Sequence, residues 1–313
     1  MRAESRSGPP PSGSGACAPE ATGGDPGSQG EGSAASGLAP GLYVVATPIG
    51  NLRDITLRAR DTLAGADVVL CEDTRVTAKL LRAHGIATPS LSYHEHNADA
   101  RRPEVLARLD AGAAVALVAD AGTPLVSDPG YKLVRAAREA GHPVTPIPGP
   151  SALLAAIMGA GLPTDRFLFQ GFLPAKRKGR RDALAGVAGL RATIVVYESP
   201  QRLAASLSDM ADVLGDREAA VARELTKRFE DWRRDRLSAL ASAYDQPPKG
   251  EVVVVIGPPP ETAAVTDADL DARLADAMAA HTLRDAVTMV TEATGAARKR
   301  VYKRALRLKD DSG

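Results

Sequence analysis

The chain has 313 residues, 44% of them hydrophobic and 25% charged, and a formal net charge of +1. That length supports one large core or two modest ones, and two are expected once a polar leader is set aside. The near balance of charge excludes a wholly basic nucleic-acid coat, so any RNA contact must come from local clusters, and no apolar run is long enough to span a bilayer.

Residues 1–40 are rich in Gly, Ser, Pro and Ala and carry almost no large apolar side chains. Such a segment cannot bury enough surface to offset chain entropy, and it is expected to be a disordered leader. Cys17 and Cys71 form neither a CxxC nor a metal-ligand spacing, which fits a reduced, cytoplasmic setting.

Order is expected to begin with a strand at Leu42–Ala46, followed by Thr47-Pro48-Ile49-Gly50-Asn51 and a helix holding Leu57, Ala59 and Leu63 that Asp54 or Thr56 can cap. A second strand, Asp67–Cys71, ends in Glu72-Asp73-Thr74-Arg75, which places two carboxylates and a guanidinium where open α/β sheets hold ligands. A third strand near Leu91–Tyr93 ends in His94-Glu95-His96-Asn97 and leads to a helix from about Pro103 to Asp110. No third ligand stands at a recognisable distance from the two histidines, so no metal is expected.

The apolar run Val115–Val118 then enters the stretch Ala119-Asp120-Ala121-Gly122-Thr123-Pro124-Leu125-Val126-Ser127-Asp128-Pro129-Gly130, and Tyr131–Ala137 reads as the helix after it. Gly122 permits close backbone approach, the prolines stiffen the loop, and Ser127 or Asp128 can cap the helix, so rigid main-chain groups are offered to a small polar ligand. Val144–Ile147 leads into a similar corner, Pro148-Gly149-Pro150-Ser151-Ala152. Short strands alternating with helices imply a mostly parallel sheet. The dinucleotide fingerprint, the phosphate loop and the nucleophile elbow are all absent.

In the second half, Phe167–Pro174 is a strand and turn followed by the basic run Lys176, Arg177, Lys178, Arg180, Arg181. On residues alone a solvated face is the plainer reading of such a run, with an RNA backbone held through its phosphates as the alternative. Ala192–Tyr197 is a strand ending in Glu198-Ser199-Pro200; Ala219–Arg223 ends in Glu224-Leu225-Thr226-Lys227-Arg228; and Lys249–Gly257 closes the domain as a core strand. Beyond Pro258, Thr282 can cap a helix with Leu283, Ala286, Val287 and Val290 at helical spacing. Gly295 stops it, and a second helix marked by Val301, Ala305 and Leu308 carries Arg298, Lys299, Arg300, Lys303 and Arg304. Two short helices around a tight turn suit a helix-turn-helix with an RNA-facing basic side.

Thr47-Pro48-Ile49-Gly50-Asn51-Leu52-x-Asp54-Ile55-Thr56, Glu72-Asp73-Thr74-Arg75, Asp120–Gly130 and Pro148–Ala152, in this order, resemble the tetrapyrrole-methylase superfamily. The resemblance is narrower still to its ribosomal branch, the 16S rRNA cytidine 2′-O-methyltransferases, and it covers roughly residues 40–310. It implies two α/β domains, residues 41–150 and 151–260, with S-adenosyl-L-methionine folded in the cleft between them, and a linker and helical RNA-contacting tail over 261–313. By position the cofactor ligands would be Pro48, Gly122, Thr123, Pro124, Ser151, Ala152, Tyr197 and Gly250. It further implies 16S rRNA of the small ribosomal subunit, in its decoding-centre region, as substrate, and a homodimer.

A ribose hydroxyl is a poor nucleophile at neutral pH, so a base or a cation near the developing alkoxide would help. Candidates are Glu72, Asp73, Glu198, Glu224 and Lys227. Lys227 is expected to do this work with its pKa lowered by Arg223 and Arg228, and Arg75 to hold a phosphate; a structural Glu224–Lys227 ion pair is the competing expectation. Two other functions stay open: a C-methyltransferase making a tetrapyrrole, which would need a cleft for an acidic macrocycle and has no use for the tail, and a non-catalytic RNA-binding assembly factor.

Overall fold

The computed structural model describes residues 37–126, 130–260 and 266–311. Most of the expected leader, and the helix cap assigned to Ser127 or Asp128, lie outside the described residues.

The first sheet holds β1 (Gly41–Val45), β2 (Val68–Cys71), β3 (Ser90–Ser92), β4 (Ala114–Val118) and β5 (Val144–Ile147) in the order β3-β2-β4-β1-β5. Every pairing in it is parallel. A parallel strand needs cover on both faces, which is why β2 and β4 read as unbroken apolar runs and are buried throughout. Helices α1 (Leu57–Gly65) and α2 (Thr74–Ala83) cover one face through Ala59, Leu63 and Leu81. Helices α3 (Ala98–Asp110) and α4 (Tyr131–Glu139) cover the other through Val105, Leu109, Leu133 and Ala137.

Of the two caps expected for the first helix it is Thr56 that serves, and α2 is a helix not expected from the sequence. Thr56 accepts the Ala59 N–H to open α1, and Asp73 accepts the Arg75 N–H to open α2. The residue at the start of α4 is Gly130, at φ +129°.

The second sheet is mixed. Its strands β6 (Phe167–Phe172), β7 (Thr193–Glu198), β8 (Glu218–Arg223), β9 (Asp231–Arg236) and β10 (Val252–Ile256) run in the order β6-β7-β10-β8-β9. Only β6 and β7 pair in parallel; β10 is antiparallel to both neighbours, and β8 and β9 form an antiparallel pair. The valine run of β10 sits at the centre, buried along its whole length. Helices α6 (Arg177–Ala185), α7 (Leu203–Leu214) and α8 (Leu237–Ala243) pack on one face, and α5 (Ala152–Ala160) packs with Ile49 on the other. Ile49 belongs to the loop after β1, so the face under α5 joins the two sheets.

The tail differs from the expected pair of helices. Three helices are described, α9 (Asp267–Ala280), α10 (Leu283–Thr294) and α11 (Arg298–Asp311), and Leu270, Leu274, Val287, Val290, Val301 and Ala305 form a core of their own. The additional helix starts at a capping box in which Thr266 and Asp269 bond each other's backbone N–H. Two helices of this length offer too little apolar surface to close a core, and α9 supplies the missing side.

Candidate methyl-donor cleft and RNA-facing surfaces

Three loops at the carboxyl ends of β4, β1 and β5 are tied into one block. Thr47 and Gly122 exchange reciprocal backbone bonds of 2.9 and 3.0 Å, the Thr47 hydroxyl donates to Ala119 O at 3.3 Å, and the Thr123 hydroxyl donates to Pro150 O at 3.0 Å. Gly122 needs its φ of +78°, and a Cβ there would stand 3.2 Å from Ile49 Cγ2. Above this block opens a cleft of about 320 Å³, within the range of small-molecule sites. Ile49, Gly122, Thr123 and Val126 form one wall, and Ser151 and Ala152 bring the start of α5 to it. Tyr197 to Pro200, Gly250 to Val253 and Phe172 form the opposite wall.

Of the sequence-predicted cofactor residues, Gly122, Thr123, Ser151, Ala152, Tyr197 and Gly250 are brought together around this space. Pro48 and Pro124 lie in the same loops, next to Ile49 and Thr123, but do not line it. Ile49, Val126, Phe172, Ser199 and Glu251 line it without having been singled out. Their only signal is adjacency to the Pro/Gly corners, since an apolar wall residue looks like a core residue in sequence.

The wall chemistry fits S-adenosylmethionine. Apolar side chains and main-chain groups predominate among the lining residues, which include no Lys or Arg; a polyphosphate would need cations, whereas an adenosine with a zwitterionic tail does not.

Glu198 is fully engaged. Its side chain is buried, accepts the Ser199 N–H at 2.7 Å and the Ser206 hydroxyl at 2.6 Å, and pairs with Arg202 at 2.6 Å. It fixes the turn at Ser199–Pro200 that lines the cleft, so its lone pairs are taken up in holding that turn.

Lys227 and Glu224 do not line the cleft, but Lys227 is paired to Glu251, which does. Lys227 Nζ lies 2.8 Å from Glu224 Oε1 and 2.7 Å from Glu251 Oε2, and the lysine stem covers Gly50, where an added Cβ would meet Lys227 Cγ at 2.4 Å. Glu224 and Thr226 both take left-handed backbone, at φ +53° and +67°, conformations that cost free energy in non-glycine residues and recur at functional sites. The Asn51 N–H donates to the Thr226 hydroxyl and Glu224 accepts the Glu251 N–H, so the strained loop is pinned from both sides.

The lowered pKa expected for Lys227 is not found. Partial burial alone would lower it, but the hydrogen bonds to Glu224 and Glu251 outweigh burial and hold the ammonium above the ordinary lysine value. Glu224 is correspondingly lowered, chiefly by its bond to Lys227. Lys227 is therefore a fixed cation, because its nearest charges are two carboxylates rather than Arg223 and Arg228.

Asp73 is held at about 2 by the side-chain hydrogen bond from Arg75, then by the Arg75 N–H. So low a value makes it a weak base at neutral pH. Its own N–H donates to Asp120 Oδ1 at 3.0 Å, which sets it beside the Gly122 loop. Arg75 is paired to Asp73 at 2.7 Å while most of its side chain remains exposed.

The basic run divides. Lys176, Arg177 and Lys178 are exposed, whereas Arg180 is buried and grips Asp209 with Nε and Nη2 at 2.8 and 2.6 Å. Arg180 is thus no RNA contact: it faces α7, on the buried side of α6 that it shares with Leu184 one turn further on. Arg177 and Arg181 reach the same Asp209 at 3.0 and 3.1 Å. In the tail, Arg304 is held by Asp267 at 2.8 Å and by Asp271, and Arg300 pairs with Asp267 at 2.7 Å. Those two arginines fasten α11 to α9, leaving Lys303, with Arg298 and Lys299, on the exposed side. No group of three or more potential metal ligands exists among the described residues.

The model of the Tetrapyrrole (Corrin/Porphyrin) Methylases matches residues 41–241, and that of the RsmI C-terminal HTH domain matches residues 264–309. A Ribosomal RNA small subunit methyltransferase I from Mesorhizobium japonicum is 51% identical over 279 residues, 88% of this chain and 95% of the relative. One of the same name from Synechocystis is 46% identical over 86% of this chain and 99% of its own length. Among solved structures, a diphthine synthase shares the fold with a TM-score of 0.55 at 16% identity, over 69% of this chain and 89% of that one. The interlocked loops, the cleft they border and the three-helix tail thus occur in a chain that belongs to the tetrapyrrole methylase family of S-adenosylmethionine-dependent methyltransferases, within its ribosomal RNA small subunit methyltransferase I branch.

Proposed function

We propose that this chain methylates the ribose 2′-oxygen of a cytidine in 16S rRNA, in the decoding-centre region of the small ribosomal subunit. The observation that carries the reading is the convergence of Gly122, Thr123, Ser151, Ala152, Tyr197 and Gly250 on one cleft, with the cation Lys227 paired to its lining residue Glu251. The three-helix tail, with exposed Lys299 and Lys303, supports an RNA rather than a tetrapyrrole substrate.

Bound in the cleft, S-adenosylmethionine supplies an electrophilic methyl group on a sulfonium. The locked loops hold the reacting partners in line, and alignment of this kind accounts for much of the acceleration in a bimolecular displacement. Gly122, Thr123, Ser151, Ala152, Tyr197 and Gly250 would hold the cofactor, and it would supply the methyl that passes from sulfur to the ribose 2′-oxygen, whose proton would leave to solvent at the open mouth. Lys227, fixed as an ammonium, stabilises the negative charge growing on that oxygen. Arg75, Lys176, Arg177, Lys178, Arg181 and Lys303 contact the RNA. The enzyme works in the cytoplasm as a homodimer.

Mass mapping of 16S rRNA from a deletion strain tests this: loss of one ribose methyl at one cytidine, restored by the wild-type chain, is the expected result. Unchanged rRNA sinks the reading.

A further inference from the structure

Strand β6 contains an irregularity whose effect is to turn one aromatic ring toward the cleft. In register with β7, Phe169 pairs with Val195, Gly171 with Val196 and Phe172 with Tyr197, so Gln170 is an inserted residue. In a regular strand, residues 169 and 172 would face opposite sides of the sheet. The bulge, made at Gly171 with φ +70°, puts both on the side of Tyr197. Re-aiming a side chain beside a site is what bulges commonly do. Tyr197 is then flanked edge-to-face by Phe169, with ring centroids 4.9 Å apart, and by Phe172 at 5.5 Å.

The two phenylalanines differ in surroundings. Phe169 packs into the core under α5. Phe172 lines the cleft and remains 61% exposed, a large apolar ring braced at its edge and open to solvent. Four and six residues further along the chain are Lys176 and Lys178, both exposed and in no ion pair among the described residues. A flat apolar platform at the mouth of a cleft, followed in the chain by free cations, is the pattern that receives an unstacked nucleotide: the ring takes the base and the cations take the phosphates.

We propose that Phe172 is the stacking platform for the base of the acceptor nucleotide, splayed out of the rRNA so that its ribose reaches the cleft, with Lys176 and Lys178 on the flanking phosphates. This rests on the rRNA-methylation reading above. It gives that reading a positioning residue, because a 2′-oxygen inside a stacked helix could not enter a cleft walled by Tyr197 and Gly122.

The test uses the full-length chain and small subunits from a strain lacking the methyl group, comparing wild type, Phe172→Ala and Phe172→Trp. Three quantities are read: KM for subunits, S-adenosylmethionine affinity by titration calorimetry, and mass in solution. Phe172→Ala is expected to raise KM for subunits about 10-fold, the scale of one lost base–aromatic stack, with cofactor affinity and mass unchanged. Phe172→Trp is expected to restore KM to within about 2-fold, because a larger ring still stacks. An unchanged KM in Phe172→Ala overturns the proposal. So does a parallel loss of cofactor affinity, which would put the ring over the donor, or a change in mass, which would put it in a contact between protomers. A wild-type chain unable to methylate subunits removes the parent reading as well, so the two failures are distinct.

Discussion

Lys227 and Glu224 form a 2.8 Å ion pair in a loop with two left-handed residues, closed from the other side by Glu251, which lines the cleft. The pair makes Lys227 a permanent cation rather than a base. Lys227→Met is expected to lower kcat at least about 10-fold with cofactor affinity retained, because the lost charge acts on the transition state. The sign of the pH dependence follows from the shifts. Lys227 is raised, so its contribution is complete below the unfolded lysine value and is lost only as pH rises through the higher folded value. Glu224 is lowered, so its contribution is present above the unfolded glutamate value and is lost as pH falls through the folded one. Between about pH 6 and pH 9 the rate profile should show no ionisation of Lys227; a kcat that climbs with pH in that window in wild type and not in Lys227→Met would restore the base.

Gly250 holds the opposite end of this network. At φ +96°, a Cβ there would stand 2.3 Å from Glu224 Cδ. Gly250→Ala is expected to displace Glu224, to weaken S-adenosylmethionine binding about 10-fold and to cost roughly 1–3 kcal/mol of stability. Calorimetric titration and denaturant melts measure both. Wild-type affinity in this variant would show that the cleft does not depend on the close approach.

Arg180 and Asp209 separate structure from recognition within one basic run. Both side chains are almost fully buried, and removing Arg180 leaves the buried Asp209 carboxylate with only the more exposed Arg177 and Arg181 as partners. Arg180→Ala should therefore cost about 3–5 kcal/mol in urea unfolding, whereas Lys176→Ala with Lys178→Ala should leave the melt unchanged and raise KM for subunits. Burial alone would raise the Asp209 carboxyl, but the bonds from Arg180, Arg177 and Arg181 prevail and hold it below its ordinary value. Its stabilisation is present above the unfolded aspartate value and is lost as pH falls through the folded one, so Arg180→Ala should also flatten the acid limb of the stability curve.

In the tail, Lys303→Ala should weaken subunit binding and lower the slope of log KM against log salt by about 1, as expected for one released phosphate contact. Arg304→Ala should instead loosen α11 from α9, since its guanidinium is engaged by Asp267 and Asp271. Hydrogen exchange over residues 267–309 distinguishes the two, with faster exchange expected only in Arg304→Ala.

Much of this was legible in the chain itself. The apolar run before Ala119, the stiff corners at Thr47–Asn51, Gly122–Pro124 and Pro148–Ser151, and the cap at Thr282 are local signals: short-range sterics and hydrogen bonding decide them, and neighbouring residues suffice to state them. The charged strand β9 was illegible because its sequence, Asp-Trp-Arg-Arg-Asp-Arg, has the composition of a solvated loop and becomes a strand only by pairing with β8 at the sheet edge. Helix α9 carried its capping box in plain view, but its few apolar positions acquire meaning only against α10 and α11.

The sequence by itself determined the strand ends and the rigid corners that border the cleft, because backbone preference acts over a few residues. Tertiary structure alone decided which charges are free and which are spent. Arg180 meets Asp209, Lys227 meets Glu251 and Phe172 turns to Tyr197 only after strands and helices distant in the chain are packed together. A side chain's partner, and with it its protonation, burial and availability to a ligand, is set by proximity in space, which no local pattern records.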